Sequence, residues 1–297
     1  MKKAIVILIV LFLSQVVMAL SATEVYEEWV KHYDSVQSFK LDYDVNYTKP
    51  FHGAVLINHM SFAFNEGKYN WSYDYNQAGE ARSYTTTFNG LIQKQLYLPK
   101  NNGIINEATK EREMEVVPRD YYCQNVLLKS LLRDQRPSYH LLFLLEEPEE
   151  LGTKSIKIGT EDINCIGFKF SRTGEKVAGG SWSRTKEAWF AVDKNMTLVK
   201  YIHSENDVLR QKVEVTELGS DVSDPNFIYP KRAETFLRIS DDEISEKAEI
   251  WLEFNVLRFI KNPVYETNTF DLQFPAECMV LDKRTGQSYI NKLKQKG

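Results

Sequence analysis

Side chains able to do covalent or metal chemistry are sparse in this chain and poorly placed for it. The five histidines, His32, His52, His59, His140 and His203, are dispersed. There is no HExxH and no pair four residues apart on a helix, so zinc chemistry has no ligand set to start from. His52 and His59 lie near one hairpin, but strand residues an odd number of positions apart point to opposite faces. Gly179-Gly180-Ser181-Trp182 lacks the second glycine of a nucleophile elbow and reads as a loop. The dense carboxylates are Glu146, Glu147, Glu149 and Glu150, and then Asp241, Asp242 and Glu243. They fall at predicted helix ends and turns, where acidic groups are solvated, and not in a cleft as a glycosidase pair would need. Neither a phosphate-binding G-x-x-x-x-G-K nor a dinucleotide G-x-G-x-x-G occurs. No catalytic residue, no metal and no cofactor is expected.

Cys123, Cys165 and Cys278 are not at metal-ligand spacing. One disulfide in an oxidising compartment and three buried thiols are both open readings. Asn46, Asn70 and Asn195 stand in glycosylation sequons, which read as chance matches in a bacterial chain.

What remains is apolar surface. Tyr43, Val45, Trp71, Tyr73, Phe88 and Leu96 sit on alternating strands, and Leu127, Leu131 and Leu142 sit in a leucine-rich insert. A filled core accounts for them, and so does a lined cavity for a hydrophobic ligand.

The elements that position these residues follow from periodicity. Val25, Tyr26, Trp29, Val30, Tyr33 and Val36 recur at helical spacing, with Thr23 as the expected N-cap and no capping box. From Phe39 the period becomes two, and alternating runs follow at 39–47, 54–64 and 69–75. Glu66-Gly67 marks a turn, and Asn89-Gly90 between 84–88 and 91–98 predicts a type I′ hairpin. The pattern breaks over about 119–151, a helical insert read as a movable cover over a cavity. Strands then resume at 155–158, 165–171, 186–192, 197–203, 209–215, 231–239 and 248–256, before a last hairpin turning at 282–286. The inventory predicts a mainly β (α+β) chain: one curved antiparallel sheet of about eleven strands, with the N-terminal helix and the helical insert on its concave side.

Residues 1–22 have the layout of a secretory signal peptide: Lys2 and Lys3, an apolar run over 4–17, then small residues. Cleavage would follow Ala19, Ser21 or Ala22. As an uncleaved anchor the run is short of the roughly 20 residues that span a bilayer. Residues 23–297 then form a single domain. Loss of Lys2 and Lys3 moves the formal net charge from −4 to −6, and this mildly acidic balance argues against a nucleic-acid partner.

The order of features is familiar. "SVQSFKLDYDV" leads from helix to first strand, "LLFLLEEPEEL" ends the insert, "AWFAVDKNMTLVKYI" forms a hairpin, and "NTFDLQFPAECMVLDKRTGQSYI" closes the chain. Together they resemble the LolA/LolB-like outer-membrane lipoprotein-sorting (lipoprotein carrier) family, in particular its larger uncharacterised bacterial relatives, across essentially the whole of 23–297. The resemblance implies an unclosed half β-barrel with helices lidding an apolar cavity for acyl chains. It carries over no catalytic residue.

The expectation is a periplasmic, non-enzymatic carrier for lipid or an acylated lipoprotein. The chain would be a monomer in transport or outer-membrane biogenesis, with an inner- or outer-membrane protein as a further partner. The rival readings are an envelope sensor acting through protein–protein contact and a hydrolase of envelope polymers.

Overall fold

Hydrophobic alternation builds strands here almost without interruption. The computed structural model describes residues 20–47, 57–77, 80–107, 126–131, 148–175, 180–238 and 249–292. Residues 1–19, Cys123, His52, His140, Leu142 and the expected helix over 139–145 lie outside the described residues.

Helix α1 (Ala22–Asp34) comes first. Six strands follow: β1 (Ser38–Tyr47), β2 (Ile57–Asn65), β3 (Lys68–Gln77), β4 (Glu80–Phe88), β5 (Ile92–Leu98) and β6 (Asn102–Glu107). A one-and-a-half-turn helix α2 (Val126–Leu131) precedes the second series. This runs through β7 (Glu149–Ile158), β8 (Glu161–Glu175), β9 (Ser181–Ala191), β10 (Thr197–Glu205), β11 (Val208–Ser220), β12 (Ile228–Arg238) and β13 (Glu249–Lys261). A closing hairpin, β14 (Met279–Asp282) and β15 (Gln287–Ile290), ends the described chain.

All fifteen strands form one sheet, ordered β15-β14-β6-β5-β4-β3-β2-β1-β13-β12-β11-β10-β9-β8-β7. Two antiparallel meanders are therefore joined where β1 pairs with β13, and among the described residues β15 and β7 are the edges. The unclosed sheet matches expectation, but its fifteen strands exceed the expected eleven and one pair, β6 with β14, is parallel. A parallel pair needs a crossover. The chain between β13 and β14 supplies it by crossing the outer face of β3–β5, where Asn70 donates to Thr269 O at 2.9 Å, Lys94 pairs with Asp271 at 2.6 Å and Leu272 N–H donates to Thr87 Oγ1 at 3.2 Å. The expected helical insert is also shorter at its C-terminal side, because residues 149–151 already belong to β7.

Local chemistry corrects two further expectations. The cap of α1 is Ser21, not Thr23. Its hydroxyl accepts from Glu24 N–H while the Glu24 carboxylate accepts from Ser21 N–H at 2.8 Å, a complete capping box. That carboxylate is held below its usual range by the bond from the Ser21 backbone. Cleavage after Ala19 would leave this cap on the mature chain. Ser21→Ala should lower stability by about 1 kcal/mol in urea melts, with Ser21→Asp retaining most of it. The Asn89-Gly90 hairpin is not a type I′ turn either: Asn89 Oδ1 accepts from Leu91 N–H at 3.0 Å and Ile92 N–H at 2.9 Å, and of the two residues only Gly90 has positive φ (97°). Glu66-Gly67, with φ of 48° and 79°, has the type I′ signs the twisted strands favour.

No helix among the described residues is long and apolar enough to cross a membrane.

Candidate binding face

Strand register sorts side chains onto two faces, because Cα partners on paired strands project to the same side. On β1 the inward set is Phe39, Leu41, Tyr43 and Val45, each no more than 1% exposed. Met60, Phe62 and Phe64 continue this face on β2, followed by Tyr69, Trp71 and Tyr73 on β3 and Tyr84, Thr86 and Phe88 on β4. On the other side of β1 it runs through Val256 and Phe254 of β13, Ala233 of β12, Val213 and Val215 of β11, and Tyr201 of β10. Asp42, Asp44, His59 and Ser61 occupy the opposite face, where Ser61 donates to Asp42 at 2.6 Å and His59 meets Asp44 at 3.0 Å.

Both helices lie on the inner face. Val25, Tyr26, Trp29 and Tyr33 of α1 are buried in the same cluster as that face. The helix seats over the end where β1 begins: Trp29 meets Phe190 edge-on at 6.3 Å, and Tyr33 meets Phe227 at 5.9 Å. His32 lies flat on Phe227 at 4.3 Å, and its Nε2–H donates to Ile228 O at 2.8 Å, the carbonyl being able only to accept. Helix α2 packs on β12 and α1 and buries Leu127 and Leu131 in the same cluster.

Two histidines respond to this burial. The imidazolium of His32 is disfavoured by desolvation and then by nearby Lys261, outweighing the Ile228 bond and Asp224, so its pKa falls below the usual value. His203 is pushed down to about 4 by burial, with Lys186 adding to the effect and Glu205 opposing it. A depressed histidine gives stability that is fully present above its unfolded pKa of about 6.5 and is lost as pH falls through the folded value. Urea midpoints should therefore decline from pH 6.5 toward about 4, and the double replacement His32→Gln with His203→Gln should flatten that slope. The lowered carboxylates Glu214 and Asp224 act at more acidic pH, below their usual values of 4.5 and 3.8.

The structure brings together most residues singled out from sequence. Tyr43, Val45, Trp71, Phe88, Leu127 and Leu131 belong to one buried cluster, and Tyr73 packs against it partly exposed. Leu96 is the exception and requires a correction. It faces outward, in a second cluster with Ile105, Cys278 and Val280 under Leu272 and Phe274 of the crossover. The seat is close: a Cβ on Gly103 would stand 2.5 Å from the Phe274 ring.

Sequence reading did not single out Leu41, Met60, Phe62 and Phe254 for the cavity, although all are buried on the inner face and each lies on an expected strand. It also missed a polar patch on β5 and β6. Gln93 Nε2 donates to Tyr69 Oη at 3.1 Å, and Gln93 Oε1 accepts from Gln95 Nε2 at 3.1 Å and Asn106 Nδ2 at 3.0 Å. Beside it Tyr73, Tyr84 and Tyr97 follow one another with ring centroids 5.3 and 4.7 Å apart. Burial raises the Tyr69 phenol to about 12 and Tyr84 further, so both stay protonated and able to donate.

Described residues line three grooves, two of which border members of the buried cluster. One of about 450 Å³ sits among Ile158, Glu161, Lys194, Glu217 and Lys231; one of about 520 Å³ among His59, Asp74, Arg82, Leu98 and Pro99; and another of about 520 Å³ among Lys154, Ile156, Lys200 and Glu214. Among the described residues no three His, Cys, Asp or Glu side chains gather as a metal site. Cys165 and Cys278 are free buried thiols in separate clusters.

No family model matches the chain, and no curated protein does. Solved structures similar in arrangement include a DUF1329 family protein from Desulfovibrio piger, 9% identical over 83% of this chain and 95% of that one, with a TM-score of 0.48. A domain from Vibrio parahaemolyticus, named as a candidate for outer membrane lipoprotein sorting, is 8% identical over 84% and 95%, with a TM-score of 0.47. LprF from Mycobacterium bovis is 9% identical over 84% and 97%, with a TM-score of 0.34. The lipoprotein-sorting group that the sequence resembles is thus represented among them.

Proposed function

We propose that the chain is a non-enzymatic binding or carrier protein for a lipid or acylated lipoprotein, acting in the cell envelope after export. One observation carries this reading: a broad aromatic and aliphatic face on the unclosed sheet is covered, among the described residues, by helices and not by a second sheet. A helix closes its backbone hydrogen bonds within itself. Moving a short one off the face leaves every strand pair intact, whereas a second sheet opens only as a layer. Each methylene that replaces the helix on this surface contributes about 0.8 kcal/mol, enough for one long chain to compete with the two leucines of α2.

Native mass spectrometry of protein purified from the envelope without detergent tests the reading. The expected spectrum shows adducts of one or two acyl-lipid masses, which an organic extraction followed by refolding removes and added fatty acid restores. A bare protein that takes up no fatty acid would overturn it.

A further inference from the structure

The inner face of β3–β6 carries groups that a hydrocarbon chain does not use. Three rows of side chains cross these strands. Tyr73, Tyr84 and Tyr97 form the row toward the end of the sheet away from α1; Trp71, Thr86, Gln95 and Ile104 form the next; Tyr69, Phe88, Gln93 and Asn106 form the third. None of these residues is charged. The nearest cation on the same face, Arg82, is tied to Glu80 at 3.3 Å.

Asn106 Oδ1 and Trp71 Nε1 are buried in this patch with no hydrogen-bond partner among the described residues. Asn106 is 7% exposed and spends its Nδ2–H on Gln93, and Trp71 is 1% exposed. A buried donor or acceptor left unmade costs about 1–3 kcal/mol, whereas an apolar residue of similar shape avoids the loss. Stability alone would thus favour phenylalanine and leucine at these positions. Gln95 is only half-buried, and its one hydrogen bond among the described residues uses its nitrogen.

A ligand suited to this surface needs a flat apolar face for the tyrosines, hydroxyls that both donate and accept for the amides, and no net charge. Acyl chains meet only the first requirement. Phosphate and sulfate groups meet the second but carry charge into a patch with no cation among its described residues. Sugar rings meet all three, because axial C–H groups stack on aromatic rings and ring hydroxyls satisfy amides. We propose that this patch is a binding site for a neutral saccharide, either a free glycan or the headgroup of a glycolipid. The proposal does not depend on an acyl chain being held elsewhere on the face.

Calorimetry on the full mature chain tests it with three probes: maltohexaose, monomeric dodecyl maltoside, and monomeric dodecylphosphocholine, which has the same tail without sugar. Binding of maltohexaose, weakened about tenfold or more by Tyr84→Ala and by Gln95→Leu, identifies a free-glycan site. Binding of dodecyl maltoside alone, with the same losses, identifies a glycolipid headgroup site. Tyr84→Phe keeps the ring and should retain most of the affinity, which separates stacking from a folding defect, and unchanged thermal midpoints guard the other two variants. The proposal is overturned if neither sugar probe binds, or if dodecyl maltoside binds no more tightly than dodecylphosphocholine and both variants leave it unchanged. Binding of dodecylphosphocholine itself reports on the acyl reading separately.

Discussion

Replacing Trp29 by alanine is expected to lower the unfolding free energy by about 3–5 kcal/mol. Trp29 is fully buried and central to the seat of α1, with Tyr33 edge-on at 5.9 Å, Phe190 edge-on at 6.3 Å and Tyr26 at 5.9 Å. Its indole, with that of Trp71, is the largest among the fully buried side chains of the described residues. Alanine would lose the transfer energy of the ring and leave a cavity between a helix and a curved sheet, two rigid bodies that collapse poorly onto a void. The edge-to-face geometry adds about 0.5–1.5 kcal/mol per pair beyond the area buried. Urea unfolding followed by far-ultraviolet circular dichroism measures the loss, and Trp29→Phe should recover much of it. A loss below about 1 kcal/mol would show that α1 is a detachable flap, and the cover on this face would have to be reassigned to both helices.

How far these elements were legible depended on whether a strand has one wet side. On β1, Phe39, Leu41, Tyr43 and Val45 alternate with Lys40, Asp42, Asp44 and Asn46, and the inner face is readable directly. Helix α1 was equally plain, because Val25, Trp29 and Tyr33 fall on one stripe. Strand β5 inverts the rule. Its apolar set, Ile92 and Leu96, is turned outward under the crossover, while Gln93 and Gln95 share the inner face with Tyr69 and Trp71. Alternation identified the strand and assigned its faces backwards, because the residues that dry its outer face come from Leu272 and Phe274, far along the chain. Strand β6 has too little alternation to announce itself. Gly103 is there to admit the Phe274 ring, and Asn106 is buried as an amide. The parallel pairing of β6 with β14 follows from that same crossover. The amides of the candidate saccharide patch were invisible for the same reason: polar residues alternating on a strand look solvated until the register places them.

Leu131→Asp is the substitution that separates a filled core from a movable cover. Leu131 is 4% exposed and stands with Leu127 on the short α2, against β12 and α1. A carboxylate held there would need several kcal/mol of desolvation without a partner, so the segment should leave the face before it accepts the charge. The six residues of α2 make no strand pairing, so their departure removes two buried leucines from the cluster. That amounts to about 3–6 kcal/mol, partly offset by the conformational entropy regained. At roughly 2–4 °C per kcal/mol for a chain of this size class, the thermal midpoint should fall by about 5–15 °C. Far-ultraviolet circular dichroism at 25 °C should stay close to that of the parent, and fatty-acid binding should be lost or weakened severely. Leu131→Met, which preserves volume, should change neither by much. If Leu131→Asp abolishes the folded state, α2 is part of the core and the acyl ligand must enter at the tyrosine end; if it leaves fatty-acid binding intact, α2 does not cover the ligand. Between these outcomes lies the physical content of the carrier reading: a cover weakly enough attached to exchange with an acyl chain, on a sheet that stands without it.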